Sequence, residues 1–153
     1  MMKRIASFSV DHTKLVPGIY LSRVDGDIVT YDIRMRKPNT PPYLENAALH
    51  TIEHLFATFA RNSGYADRVI YFGPMGCRTG FYFLLRDVDK DEAVKLIIRI
   101  FRQIAEYGGP IPGAALEECG NYLEHDLQGA AREAKNFLPV IQDWNSEKLK
   151  YPS

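Results

Sequence analysis

The chain has 153 residues, 46% hydrophobic and 25% charged, a balance that suits one soluble globular domain with a single substantial core. Lys plus Arg and Asp plus Glu both number 19, so the net charge is zero; no nucleic-acid surface or polybasic membrane patch is expected, and weak charge protection favours an oligomer. No apolar run reaches membrane-span length, and Met1-Met2-Lys3-Arg4-Ile5-Ala6-Ser7-Phe8 lacks a signal-peptide core, so the expected compartment is the cytoplasm.

Taken in chain order, Gly18-Ile19-Tyr20-Leu21-Ser22-Arg23 is rich in strand formers, and Asp25-Gly26 favours a tight hairpin. In the next run, Val29, Tyr31, Ile33 and Met35 share one face of a strand, and Thr30, Asp32 and Arg34 share the other. A Pro-rich loop from Pro38 to Pro42 leads into a helix predicted from about Leu44 to Asn62, with Ala48, Ile52, Leu55, Phe56 and Phe59 as its apolar stripe. Gly64 suits the left-handed position that stops it. Two apolar runs, Val69–Phe72 and Phe81–Leu85, flank a Gly- and Pro-punctuated loop from Gly73 to Gly80. Asp89 and Glu92 form a capping-box pattern ahead of an apolar helix that Gly108-Gly109-Pro110 ends. A last helix spans about Leu127 to Phe137, interrupted or re-started at Pro139, and the polar tail after Trp144 is free to fray. The pattern is α+β: a mostly antiparallel sheet with helices packed on it, in one domain over residues 1–153.

Within the first long helix stands His50-Thr51-Ile52-Glu53-His54. Histidines four apart share a helix face, because one turn takes about 3.6 residues. Their imidazoles can grip one divalent metal, and Glu53 can reach its edge without being a ligand. The order H-x-x-E-H is the inverzincin type, the reverse of H-E-x-x-H.

Such a site needs at least a third ligand. Cys77 and Cys119, the two cysteines, are the better candidates, because thiolates bind zinc and ferrous ions strongly. Cys77 follows Gly76 and precedes Arg78, whose charge can stabilise a thiolate. The plain alternative for either is a small buried hydrophobe.

These residues, in this order, resemble the S-ribosylhomocysteine lyase (LuxS) family over essentially the whole chain. The likeness runs through Ser7-Phe8-Ser9-Val10-Asp11-His12, Tyr31-Asp32-Ile33-Arg34, Lys37-Pro38-Asn39, the His50–His54 motif, Gly73–Tyr82 and Cys119–Leu127. The resemblance implies an α+β fold of the LuxS/MPP-like metallohydrolase type. It implies His50, His54 and Cys119 as metal ligands, with water or a substrate oxygen in the fourth position. The implied metal is one ferrous ion per subunit, replaceable by zinc or cobalt. Glu53 and Cys77 become the acid/base pair, and Ser7, His12 and Arg34 bind the sugar. The implied partner is a second copy, in a homodimer with its sites at the interface. The implied reaction cleaves the thioether of S-ribosylhomocysteine to homocysteine and 4,5-dihydroxy-2,3-pentanedione, the autoinducer-2 precursor of quorum sensing. One departure stands out: many family members have Asp-Ile-Ser where this chain has Tyr71-Phe72-Gly73, beside the implied homocysteine pocket.

Read without the family, His12 beside Asp11 is a surface histidine, Arg34 a salt-bridge partner of a surface carboxylate, and Ser7 carries no signal. His125 is a spare candidate ligand, placed instead at the start of the last helix with Asp126 as cap. Two other readings stay open. A metallopeptidase would recruit Glu117 or Glu118 as third ligand, and a metal-stabilised interaction module would close its site with four protein ligands, possibly both cysteines.

Overall fold

A computed structural model describes all residues, 1–153. A single turn, α1 (Ala6–Ser9), precedes the strands β1 (Gly18–Asp25) and β2 (Ile28–Arg34). Helix α2 (Asn46–Arg61) follows, then β3 (Val69–Pro74), β4 (Gly80–Arg86), α3 (Lys90–Glu106) and α4 (Leu127–Ile141). The strands form one antiparallel sheet in the order β1-β2-β4-β3, as the alternating pattern predicts. Asp25 pairs with Ile28, so the first hairpin turns through Gly26 and Asp27, and Gly26 takes the positive φ that the turn demands.

Period-two alternation sends Ile19, Tyr31, Ile33, Phe72, Phe81, Phe83 and Leu85 to the inner face, where α2, α3 and α4 cover them. Phe56 of α2 stacks on Phe72 with ring centroids 3.9 Å apart and meets Phe83 and Phe101 edge-on. This aromatic cluster fixes α2, and with it the histidine motif, against β3 and β4.

The outer face carries Thr30, Asp32, Arg34, Tyr82, Leu84 and Tyr71, and α1 and Tyr151 of the C-terminal tail lie over it. Asp32 and Arg34 are nonetheless buried, so Arg34 has no surface carboxylate as partner: its guanidinium forks onto Asp32 at 2.7 and 3.1 Å. Gly80 sits opposite Arg34, and a Cβ there would drive into the Ile33 carbonyl, so only glycine lets these strands approach.

Several boundary expectations are corrected. Gly64 does not take a left-handed φ; α2 ends through side chains, with Asn62 Nδ2 donating to the Thr58 carbonyl and Ser63 Oγ to the Ala60 carbonyl. Asp89 caps α3 by accepting from the amides of Asp91 and Glu92, while Glu92 accepts from Tyr65 Oη rather than completing a capping box. Helix α4 runs through Pro139 to Ile141, because a proline in the last turn forfeits only one hydrogen bond. The tail is pinned, not frayed: Leu149 is buried, its carbonyl accepts from the Leu21 amide, and Tyr151 Oη donates to Asp32 at 2.7 Å.

Candidate functional site

Helix α2 buries Ala48, Thr51, Ile52, Leu55 and Phe56, which leaves His50 and His54 on its half-buried flank. Each ring is oriented by a main-chain carbonyl. Nδ1 of His50 lies 2.8 Å from the Glu124 oxygen, and Nδ1 of His54 lies 2.9 Å from the Pro112 oxygen. A carbonyl only accepts, so both protons sit on Nδ1 and both Nε2 atoms are free to ligate. Gly113 makes room for this: its φ is +67°, and a Cβ there would stand 3.3 Å from His54 Nδ1.

Cys119 Sγ lies 3.4 Å from His50 Nε2 and 3.8 Å from His54 Nε2. Bond lengths of about 2.3 Å to sulfur and 2.0–2.1 Å to nitrogen, at a tetrahedral angle, require about 3.6 Å between such donors. The expected ligand trio is therefore assembled at metal-binding spacing, and a thiolate with imidazoles suits zinc, ferrous iron or cobalt.

The ring of His125 joins them, which corrects its placement as a mere neighbour of the helix cap. Its Nε2 is 3.7 Å from Cys119 Sγ, its ring stacks on His50 at 4.0 Å, and all four donor atoms lie within 4.8 Å of one another. Burial, helped by the charges His50 and His54 can carry, pushes its pKa down to about 4, so it stands neutral. The cap is also real: Asp126 accepts from the Gly129 amide, and its own amide donates to Thr51 Oγ1. Sequence periodicity could not place His125, because the irregular segment 120–126 reaches the site through three hydrogen bonds with α2, Glu124–His50, His125–Thr51 and Asp126–Thr51. The spacing C-x5-H was the available signal.

The donor set holds no carboxylate and no second cysteine. Glu117 and Glu118 are exposed and outside it, against the peptidase reading, and Cys77 lies elsewhere, against a site closed by both cysteines. Glu53 and His54 open onto a cleft of about 310 Å³ with Phe72 and Gly113.

A second cleft, of about 410 Å³, brings together Ser7, His12, Arg34, Cys77 and Tyr82 on the outer side of the sheet. Cys77 is exposed there, not a buried hydrophobe. The arginine that serves it is Arg34; Arg78 instead donates to the Leu44 carbonyl and lies over the Tyr43 ring. Burial alone would lower the pKa of Arg34, but the Asp32 carboxylate, with Cys77 and Tyr151, holds it above its ordinary value. Nη1 of Arg34 donates to Thr79 Oγ1 at 2.8 Å, and that oxygen is 3.0 Å from Cys77 Sγ. Thr79 went unnoticed in the sequence because an ordinary loop threonine carries no pattern. His12 Nδ1 donates to the Val10 carbonyl at 2.8 Å, leaving Nε2 to face the cleft's contents. The two clefts share no lining residue, so one chain holds Glu53 and Cys77 apart.

Tyr71, at the departure from the family pattern, is half exposed, and its phenol covers Gly73, filling the space a side chain there would need. It lines an adjoining cleft that shares Ser7 and Tyr82 with the Cys77 cleft.

A helix bearing H-x-x-E-H, a cysteine delivered beside it from a later segment, and an antiparallel sheet backed by helices define a metal-binding α+β protein. Residues 5–148 match the S-ribosylhomocysteinase (LuxS) family, and the chain belongs to it. It is 48% identical over 157 residues to an S-ribosylhomocysteine lyase of Borreliella burgdorferi, covering 99% of this chain and 100% of that one. It is 48% identical to an S-ribosylhomocysteine lyase of Clostridium acetobutylicum and 46% identical to one of Phocaeicola vulgatus, each across 99% of both chains. No helix is long and apolar enough to cross a membrane.

Proposed function

We propose that this chain is an S-ribosylhomocysteine lyase that releases homocysteine and 4,5-dihydroxy-2,3-pentanedione. The observation that carries the reading is the trio His50, His54 and Cys119, carbonyl-oriented and at ligand spacing, with Glu53 open to the adjoining cleft.

The chemistry follows from the substrate. Its carbonyl begins at C1 of a ribose whose C5 carries the thioether. Two proton shifts, C2 to C1 and then C3 to C2, walk the carbonyl to C3. The proton on C4 is then acidic; its removal expels the C5 sulfur as homocysteine, and the remaining enol tautomerises to the dione. A divalent metal, ferrous iron in our reading, supplies stabilisation for negative charge on the sugar oxygens when bound. Glu53 and Cys77 take protons from carbon and return them to its neighbour. Arg34, Ser7 and His12 Nε2 hold the sugar hydroxyls in the Cys77 cleft.

The separation of the two clefts supports a homodimer in which the metal cleft of one chain faces the Cys77 cleft of its partner. The outer sheet face offers a surface for it, with Ile5, Phe8 and Tyr71 all more than half exposed. The reading is tested by following free thiol on adding S-ribosylhomocysteine to metal-loaded protein. Stoichiometric homocysteine, lost with a chelator and regained with ferrous ion, is expected. Cleavage of casein without thiol release would establish a peptidase instead.

A further inference from the structure

We infer that Tyr151 of the C-terminal tail is a positioning residue for the lyase reaction: its hydroxyl, donated to Asp32, aims the Arg34 guanidinium at Thr79 and Cys77. The inference rests on the lyase reading, in which Cys77 moves protons.

The contacts run in one line. Tyr151 Oη donates to Asp32 Oδ2 at 2.7 Å. The same oxygen accepts from Arg34 Nη2 at 2.7 Å, and Oδ1 accepts from Arg34 Nε at 3.1 Å. That fork uses one edge of the guanidinium and leaves Nη1 for Thr79 Oγ1, which accepts from it at 2.8 Å and lies 3.0 Å from Cys77 Sγ. Tyr151 lines neither the metal cleft nor the Cys77 cleft, so it acts through Asp32 and Arg34 and not on substrate.

Charge explains what the hydroxyl adds. Asp32 and Arg34 are 1% and 2% exposed, so water screens neither. A carboxylate with no other donor would direct its whole charge at Arg34 and cancel the guanidinium's attraction for a thiolate. The phenol takes up part of that charge, and more of the Arg34 charge then acts at Cys77.

The neighbours single out Tyr151. Three phenols face the pair, Tyr20 from β1, Tyr82 from β4 and Tyr151 from the tail. Burial first, and then the Asp32 charge, pushes all three pKa values up, so all stay neutral donors. Tyr20 Oη donates elsewhere, to the Val16 carbonyl at 2.8 Å, and Tyr151 is the phenol that reaches Asp32. His12 and Tyr82 are the other titratable groups that line the cleft with Arg34 and Cys77. The tail itself is well held. Trp144 Nε1 donates to the Ile19 carbonyl, the Leu149 carbonyl accepts from the Leu21 amide, and the Tyr151 ring stacks on Tyr20 with centroids 5.2 Å apart.

The test follows two pH profiles in metal-loaded, full-length protein: iodoacetamide labelling, read on the Cys77 peptide by mass spectrometry, and homocysteine release. Tyr151→Phe keeps the stacked ring and removes only the hydroxyl. Its labelling midpoint should rise by about half a pH unit, seen as about threefold slower labelling below the midpoint and none of that deficit at high pH. The acidic limb of kcat/KM should move up by the same amount. Deleting residues 151–153 should shift both profiles at least as far. Tyr20→Phe, which removes a neighbouring hydroxyl but no Asp32 contact, should leave both in place. A lowered melting temperature with both midpoints unmoved would make Tyr151 a structural clamp and overturn the inference, as would an equal shift in Tyr20→Phe. Homocysteine release by wild type in those cases would leave the lyase reading standing. A wild type that released none would remove that reading, and the inference with it.

Discussion

Cys77 Sγ lies 3.0 Å from the Thr79 hydroxyl, which ties the sulfur to the buried Arg34 guanidinium. Arg34 can only donate, and it donates to that same oxygen at 2.8 Å. With Arg34 on one lone pair, the Thr79 hydroxyl is free to turn its proton to the sulfur, and that orientation stabilises a sulfur carrying negative charge. Thr79→Val should slow homocysteine release and iodoacetamide labelling of Cys77 by about tenfold, a loss of about 1.4 kcal/mol, comparable to one such hydrogen bond. Metal content should not change, and Thr79→Ser should retain most of both rates.

The two cysteines should separate cleanly. Cys77→Ala should keep the metal and lose about 10²–10⁴-fold in turnover, the share of a positioned acid or base. Glu53→Gln should behave alike, because its carboxylate stands outside the donor set. Cys119→Ala should lose the metal as well. Metal analysis alongside thiol release checks all three; a metal-free Cys77→Ala with a loaded Cys119→Ala would exchange the roles.

Tyr71 and Gly73 should act as a pair. The phenol occupies the space a residue-73 side chain would take, so Gly73→Ser alone displaces the Tyr71 ring. The double variant Tyr71→Asp/Gly73→Ser removes that conflict and installs an acid and a hydroxyl at the two positions. It should lower KM for S-ribosylhomocysteine with little change in kcat, as expected of groups that hold the amino-acid end. An unchanged KM would place that end elsewhere.

Tyr31 offers a test of the core. Its hydroxyl is buried without a partner, and burial, with the Asp89 charge, pushes its pKa up to about 12. Tyr31→Phe should raise stability by about 1 kcal/mol at neutral pH by removing an unpaired polar group. The folded pKa lies above the ordinary value near 10, so wild type loses stability as pH climbs from about 10 to about 12. The advantage of Tyr31→Phe should widen across that window in urea titrations, and a constant difference would contradict the burial argument.

How much was legible follows from where each signal lives. Periodicity revealed the sheet faces and the α2 stripe, because burial of Tyr31, Ile33, Ile52 and Phe56 is written into their spacing. His50 and His54 were legible for the same reason: helical spacing alone puts them together. Thiolate chemistry made both cysteines candidate ligands, but the choice of Cys119 and the Ser7, His12, Arg34 and Cys77 grouping came from family resemblance, since no local rule joins residues so distant in sequence. His125, Thr79 and Gly113 stayed hidden because each acts through one tertiary contact: with the donor cluster, with Cys77, with the His54 ring. The pinned tail was missed because its anchor, Asp32, is an acid buried on what reads as a solvent face.

The central claim is that the two clefts of one chain are halves of different active sites, joined only in the dimer. Co-expressing Cys77→Ala with Glu53→Gln tests it most directly. Each variant alone should be nearly inactive. In mixed dimers one site would combine intact Glu53 from one subunit with intact Cys77 from the other, so the mixture should recover about a quarter of wild-type thiol release. No recovery from a mixture shown to contain heterodimers would contradict the account.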